Sequence, residues 1–349
     1  MRQLTVSKAI NEAYFQAMEA DNSVFAIGLG VPDPKGVFGT TAGLRESFGP
    51  NRVFDSPTAE NGVTGACIGA ALTGARPVIT HQRVEFGLLA VEQLVNQAAK
   101  WNYMTAGKKS VPMVVRMIVG RGWGQGPQHS QSLESWFAHI PGLKVVAPST
   151  AYNAKGLLIS AIADDNPIVF LEHRWLHNHV GDVPAKPYDI EIGKGRIAKS
   201  GDHVTIVAYS YMVNEALRAS AYLSAAGIEA EVIDLCSLRP IDYELIKTSV
   251  MKTGRLIAID NSWKVCGIGS DIVSVVSETC FDHLVQAPTI LSLAETPIPS
   301  TPALANFVYV SVTDIIQAAE KVCQKQTGID FASLPAVTDK PDEAFTGPF

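Results

Sequence analysis

The segment Asp55-Ser56-Pro57-Thr58-Ala59-Glu60-Asn61-Gly62-Val63-Thr64-Gly65 places a carboxylate after a proline turn, at the mouth of a helix built from small residues. Such a carboxyl either caps the helix, where the macrodipole favours its charge by about 0.3–1 kcal/mol, or exchanges a proton with a ligand. Spacing leaves both open. A second proton carrier, His129, lies in Gln128-His129-Ser130-Gln131-Ser132. An imidazole suits proton traffic near neutral pH; a loop histidine held by Ser130 and Gln131 is the plain alternative. The run Gly120-Arg121-Gly122-Trp123-Gly124-Gln125-Gly126 reads equally as an anion cradle or a surface loop. No dinucleotide fingerprint, P-loop, nucleophile elbow or HExxH occurs. His173, His177 and His179 stand among prolines and glycines and read as linker residues rather than metal ligands.

The elements that must position these residues alternate between short β-branched runs and helical patterns, which points to a parallel α/β fold. A helix is predicted over Ser7–Ala20, then strands at Val24–Gly28 and Pro77–Ile79, with the small-residue helix Gly62–Leu72 between them. Another helix is predicted over Leu88–Asn102, followed by strands at Val111–Val119, Lys144–Ala147 and Pro167–Leu171, the last two flanking a helix over Thr150–Ala163. Proline and glycine punctuation between 173 and 200 reads as a linker. A second α/β unit starts at Val204–Ala208 and continues through a helix at Val213–Ala225 and strands at Ala230–Ile233 and Leu256–Ile259. The expected organisation is a first domain over 1–180, a linker over 181–200, a second domain over 201–328 and an extended arm over 329–349.

With 349 residues, two cores are the default. A charged fraction of only 18% leaves surface to be covered by other chains. A net charge of −6 with scattered basic residues gives no reason to expect nucleic acid or an anionic membrane as partner. The start of the chain carries no signal-peptide stretch, and no apolar run reaches the ~18 residues of a membrane span, so a cytoplasmic protein is expected. The five cysteines are widely spaced and odd in number, which suggests reduced thiols rather than a disulfide framework or a zinc site.

Asp55 to Gly65 resembles the region around the cofactor glutamate in beta subunits of the decarboxylating component of 2-oxo-acid dehydrogenase complexes. The same resemblance runs through Val95-Asn96-Gln97-Ala98-Ala99-Lys100, Gln128 to Ser132, Pro141 to Pro148 and Asn166 to Glu172. In the second half it continues at Ile233-Asp234-Leu235, Leu238 to Asp242, Lys252 to Arg255 and Thr296 to Pro299. It covers almost the whole chain, in order, from Thr5 to about Cys323.

The resemblance implies an α/β fold of two parallel-sheet domains, a transketolase-like pyrimidine-binding domain followed by a transketolase C-terminal domain. It implies thiamine diphosphate as cofactor, with Glu60 against a nitrogen of its aminopyrimidine, Val84 and Phe86 beside that ring, and His129 at the mouth of the site assisting acyl transfer. Potassium is implied in a loop of backbone carbonyls from Ala161, Ile162, Asp164 and Asn166, with Met113 on the neighbouring strand. The diphosphate and its Mg2+ are implied to sit on an alpha subunit in an alpha-2 beta-2 assembly, with a lipoyl acyltransferase as further partner and a small 2-oxo acid as substrate.

This chain leaves the family pattern in places. Gly28-Leu29-Gly30-Val31 stands where acidic residues are common, and Thr80-His81-Gln82-Arg83-Val84-Glu85-Phe86 replaces an acidic and aromatic run. Val84 takes the place of an aromatic. His81 and Arg83 either recognise an anionic or differently shaped acyl acceptor or point into an interface. Three readings follow: a 2-oxo-acid dehydrogenase beta subunit, a complex-independent carboligase on the same split scaffold, and an assembly subunit without chemistry. Retained Glu60 and His129 weigh against the third.

Overall fold

A computed structural model describes residues 1–120 and 124–334. Part of the glycine-rich run (121–123) and most of the expected arm (335–349) lie outside the described residues.

The first half is organised by a seven-stranded sheet. Its order is Ser237–Arg239, Lys144–Val146, Ile168–His173, Val114–Val119, Arg76–His81, Val24–Ile27 and Val53–Phe54. All neighbours are parallel except Ser237–Arg239, which comes from the second half and runs antiparallel to Lys144–Val146. The central strands are buried on both faces, which is why they read as unbroken apolar runs. Helix Val6–Ala20 starts at Thr5, whose hydroxyl accepts from the Lys8 amide, and buries Val6, Ala9, Ile10, Ala13, Tyr14 and Met18 at helical spacing. It packs on helix Ala151–Ala163, capped in the same way by Thr150.

A five-stranded sheet organises the second half, in the order Thr289–Leu293, Leu256–Trp263, Val204–Ala208, Ala230–Asp234 and Arg196–Lys199, the last antiparallel. Both large apolar clusters draw residues from the two halves, so the halves share their core.

Two local expectations need correction. The stretch from 173 to 200 is more ordered than a linker: His173 ends a central strand, and Val180–Val183 pairs antiparallel with Arg2–Thr5. Arg196–Lys199 joins the second sheet. These pairings are non-local, and prolines and glycines between them hide the pattern. The helix expected over Leu88–Asn102 is instead a chain of short pieces: α at Val84–Gly87, 3-10 at Leu88–Ala90, π at Gln93–Ala98 and α at Trp101–Met104. At its start a Cβ on Gly87 would lie 2.3 Å from Met117 Sδ, so a larger residue there would require the Met117 side chain to move.

Two buried polar groups join elements. Arg116 forms a two-pronged pair with Glu172, Nε to Oε1 at 2.6 Å and Nη2 to Oε2 at 2.8 Å, and also donates to Tyr14 and Thr40. His177 adds a contact of 3.1 Å to Glu172 Oε2, a role far from that of a linker residue. At the junction of the halves, Glu134 is fully buried with neither carboxyl oxygen hydrogen-bonded among the described residues. Burial, with Asp260 nearby, pushes its acid up to about 8. Asp260, on strand Leu256–Trp263, accepts from Tyr209 and the Gly269 amide.

Candidate active site

Helix Glu60–Leu72 begins at Glu60 itself, after the turn Asp55–Ala59. Asp55 Oδ1 accepts from the amides of Gly30 and Ser56, each at 2.9 Å, which ties the turn after strand Val24–Ile27 to the segment leading into Glu60. The cap position is held by Ala59, with no side-chain capping bond. Glu60 therefore does not cap, and its half-buried side chain makes no hydrogen bond or ion pair among the described residues. It lines a cleft of about 180 Å³ together with Leu29, Thr58, Val63, Ile79, His81 and Phe86. Leu29 is 40% exposed and Phe86 36%, large values for apolar side chains, and both offer flat wall to this space.

His81, the last residue of strand Arg76–His81, is buried in the same wall. Burial lowers its imidazole to about 4, so it is neutral at physiological pH, and its Nε2 has no partner among the described residues. A neutral imidazole gives or accepts one hydrogen bond but brings no charge.

A second cleft of about 540 Å³ adjoins the first, with Gln82 and Phe86 lining both. Its other residues include His129, Arg83, Arg174, Lys35, Gln125 and Asn178. The His129 ring lies 5.5 Å from that of Phe86, and its buried Nδ1 is without a partner among the described residues. Glu85 fixes the loop beyond, accepting from the Gln131 amide at 2.8 Å. Arg83 donates to the Gly120 carbonyl at 3.2 Å and to Gln125. Arg174 lies over the Phe38 ring at 4.6 Å. Burial lowers both guanidiniums to about 10, which leaves both charged at neutral pH.

Of the residues singled out from sequence, Glu60, His81 and Phe86 share one cleft, and Arg83, Phe86 and His129 share the next. Val84 does not line either: it is fully buried in the core, and Phe86, the other residue expected beside the ring, forms the wall. Lys35, Arg174, Asn178, Gln82 and Glu85 were not anticipated. The signal for Arg174 was present, since it sits next to the end of a buried strand, but it lay inside the run read as a linker.

The implied cation loop is at the opposite end of the sheet. Arg76, which opens strand Arg76–His81, donates through Nη1 to the carbonyls of Ile162 (3.1 Å), Ala163 (3.3 Å) and Asp164 (3.0 Å). Met113 O accepts from the Ile168 amide. Asp164 accepts from the Asn166 amide at 2.8 Å and pairs with Lys144. A guanidinium thus already takes one lone pair from each of several carbonyls there.

Comparison with known proteins gives a consistent picture. The family described as transketolase, pyrimidine binding domain, matches residues 2–178, and transketolase, C-terminal domain, matches residues 193–329. A mitochondrial pyruvate dehydrogenase E1 component subunit beta-2 from Oryza sativa subsp. japonica is 42% identical, covering 93% of this chain and 87% of the relative. The pyruvate dehydrogenase E1 component subunit beta of Rickettsia conorii is 40% identical over 92% of this chain and 98% of its own. The acetoin:2,6-dichlorophenolindophenol oxidoreductase subunit beta of Cupriavidus necator is 41% identical, covering 92% and 97%. Among solved structures, a split-gene transketolase described as an inactive beta4 tetramer superposes with a TM-score of 0.75 at 23% identity, covering 92% of this chain and 98% of that one. At that identity the superposition speaks for the fold alone.

Proposed function

This chain belongs to the transketolase-like family of 2-oxo-acid dehydrogenase E1 beta subunits, and from that premise we propose that it is the beta subunit of a thiamine-diphosphate-dependent 2-oxo-acid decarboxylase/dehydrogenase in which Glu60 activates the cofactor. The observation that carries this reading is a carboxylate without a partner among the described residues, set in a small cleft whose walls include Leu29, Val63, Ile79 and Phe86. A flat heteroaromatic ring fits that space: Leu29, Val63 and Phe86 would sandwich it, Glu60 would meet a ring nitrogen, and the free Nε2 of His81 supplies one more hydrogen bond. When bound, the cofactor supplies the electron sink that lets a 2-oxo acid lose CO2. Glu60 holds and returns the proton at the ring nitrogen. Phe86 and Leu29 keep water from that exchange, and His129, beyond Phe86, handles the proton of the acyl acceptor.

The reading needs a second chain. No Gly-Asp-Gly turn followed by an Asn-containing segment occurs in the sequence to hold a diphosphate and its Mg2+, so an alpha subunit is proposed to hold them, in an alpha-2 beta-2 assembly that passes acyl groups to a lipoyl acyltransferase. Support comes from the exposed face of helix Glu60–Leu72, where Gly62, Ala66 and Gly69 leave a flat track and a Cβ on either glycine would meet nothing. A partner backbone can approach there closely. No helix among the described residues is long and apolar enough to cross a membrane, which agrees with the cytoplasmic location we propose. Potassium is proposed in the loop Ala161–Asn166 beside Met113, sharing its carbonyls with Arg76; replacing K+ by tetramethylammonium then lowers the melting temperature of the assembly.

The wide second cleft also favours a carboligase, in which a second carbonyl compound replaces the lipoyl group as acceptor. Co-production with the alpha partner, followed by decarboxylation of pyruvate and branched 2-oxo acids with an artificial electron acceptor, tests the common step. Acylation of a lipoyl domain selects the first reading and an acyloin product the second. Glu60→Gln should lower turnover about 10²–10⁴-fold with cofactor still bound; wild-type rates in that variant would remove Glu60 from the role.

A further inference from the structure

The 540 Å³ cleft beyond Phe86 is lined by three side chains that carry positive charge, Lys35, Arg83 and Arg174, and by no carboxylate among its described residues. The acid nearest in sequence to Arg83, Glu85, is turned to the Gln131 amide and does not line the space. Both arginines are nearly buried, at 4% and 5% exposure, and Arg83 feels Glu85 as an opposite charge and Arg174 as a like one. A cleft lined by three cationic side chains, with no carboxylate among its described residues, favours an anionic occupant. Both are also braced: Arg83 by Gly120 O and Gln125, Arg174 by the Phe38 ring. Braced guanidiniums present fixed donor forks suited to a carboxylate or phosphate.

Resting on the function proposed above, we propose that this cleft selects a substrate bearing a second anionic group, a carboxylate or phosphate distinct from the carboxylate that leaves as CO2. The distinction follows from the chemistry. A departing carboxylate gives up its charge in the transition state, so clamping it between two arginines would stabilise the ground state and slow the reaction. An anion that persists through the reaction has no such cost, and its binding helps to orient the reacting end. The carrier is either the 2-oxo acid itself, through a distal acid group, or the acyl acceptor.

The test uses the complete complex with its alpha partner, saturated with thiamine diphosphate and Mg2+. In the donor arm, kcat/KM is compared for 2-oxoglutarate and pyruvate. In the acceptor arm, pyruvate is the donor and glyceraldehyde 3-phosphate is compared with glyceraldehyde. In the arm that applies, wild type prefers the anionic compound, and Arg83→Gln or Arg174→Gln reduces that preference about ten- to hundredfold, the range expected for a lost charge-assisted hydrogen bond. Calorimetry with succinate and inorganic phosphate gives a readout independent of turnover, and the same variants should weaken that binding. Lys35→Ala, at an exposed position, provides a variant safe for folding and reduces the preference about two- to fivefold. Equal preference and equal anion binding in wild type and variants would overturn the proposal, as would a loss in the arginine variants confined to thiamine diphosphate affinity. If no 2-oxo acid is decarboxylated while anion binding still depends on Arg83 and Arg174, the anion site stands and the assigned reaction falls.

Discussion

Phe86 divides the space between Glu60 on one side and His129 on the other, so the two proton carriers serve separate clefts that share one wall. Replacing His129 by alanine should therefore leave the Glu60 cleft intact and slow transfer to the acceptor about 10²–10⁴-fold; acyl transfer at wild-type rate would exclude the role. His81 carries a pH signature. Its folded acid constant lies near 4, below the ordinary 6.5, because burial penalises the charged ring. The unfolded chain thus takes up the proton first, and stability present above pH 6.5 is lost as pH falls toward 4. Denaturant midpoints measured across that window should decline less in His81→Phe than in wild type. Glu60 was legible in the sequence because its neighbours form a continuous motif. Arg174 and Lys35 were not, because residues that meet only through the fold leave no spacing to read, and Val84, expected beside the ring, lies in the core while Phe86, two residues on, lines both clefts.

Among elements, the network under the active-site strands is the most demanding. Arg116 and Glu172 face each other from adjacent parallel strands, at 0% and 2% exposure, and Tyr14 brings in the first helix. Burial alone would raise the Glu172 carboxyl, but Arg116 and His177 hold it below its ordinary value. Removing one partner strands the other as an unmatched buried charge, so Arg116→Met should cost about 3–5 kcal/mol in equilibrium unfolding. A loss under 1 kcal/mol would show that the network is not needed for stability. The strands and main helices were readable because buried parallel strands and amphipathic helices have strong periodicity. What local pattern could not show was pairing over long separations, as between Arg2–Thr5 and Val180–Val183, or the broken course of 84–104.

At the scale of the molecule, apolar surface remains uncovered: Leu89 is 63% exposed, Tyr103 88% and Trp136 57%, besides the glycine-lined face after Glu60. An isolated chain of this kind should associate, and Ala66→Trp should block the track and abolish co-elution with the alpha subunit; unchanged co-elution would place the interface elsewhere. The two halves also meet over Glu134, which opens the helix Glu134–Ala138, and Asp260, on strand Leu256–Trp263, both buried. Glu134 titrates near 8 when folded, against 4.5 ordinarily. Since the unfolded chain releases that proton first, stability is lost progressively as pH rises from about 4.5 toward 8, and Glu134→Gln should flatten that decline. The seam between the halves thus closes with a hydrogen ion sealed inside it. Above about pH 8 that ion leaves, and repulsion between the Glu134 and Asp260 carboxylates weakens the contact between the halves.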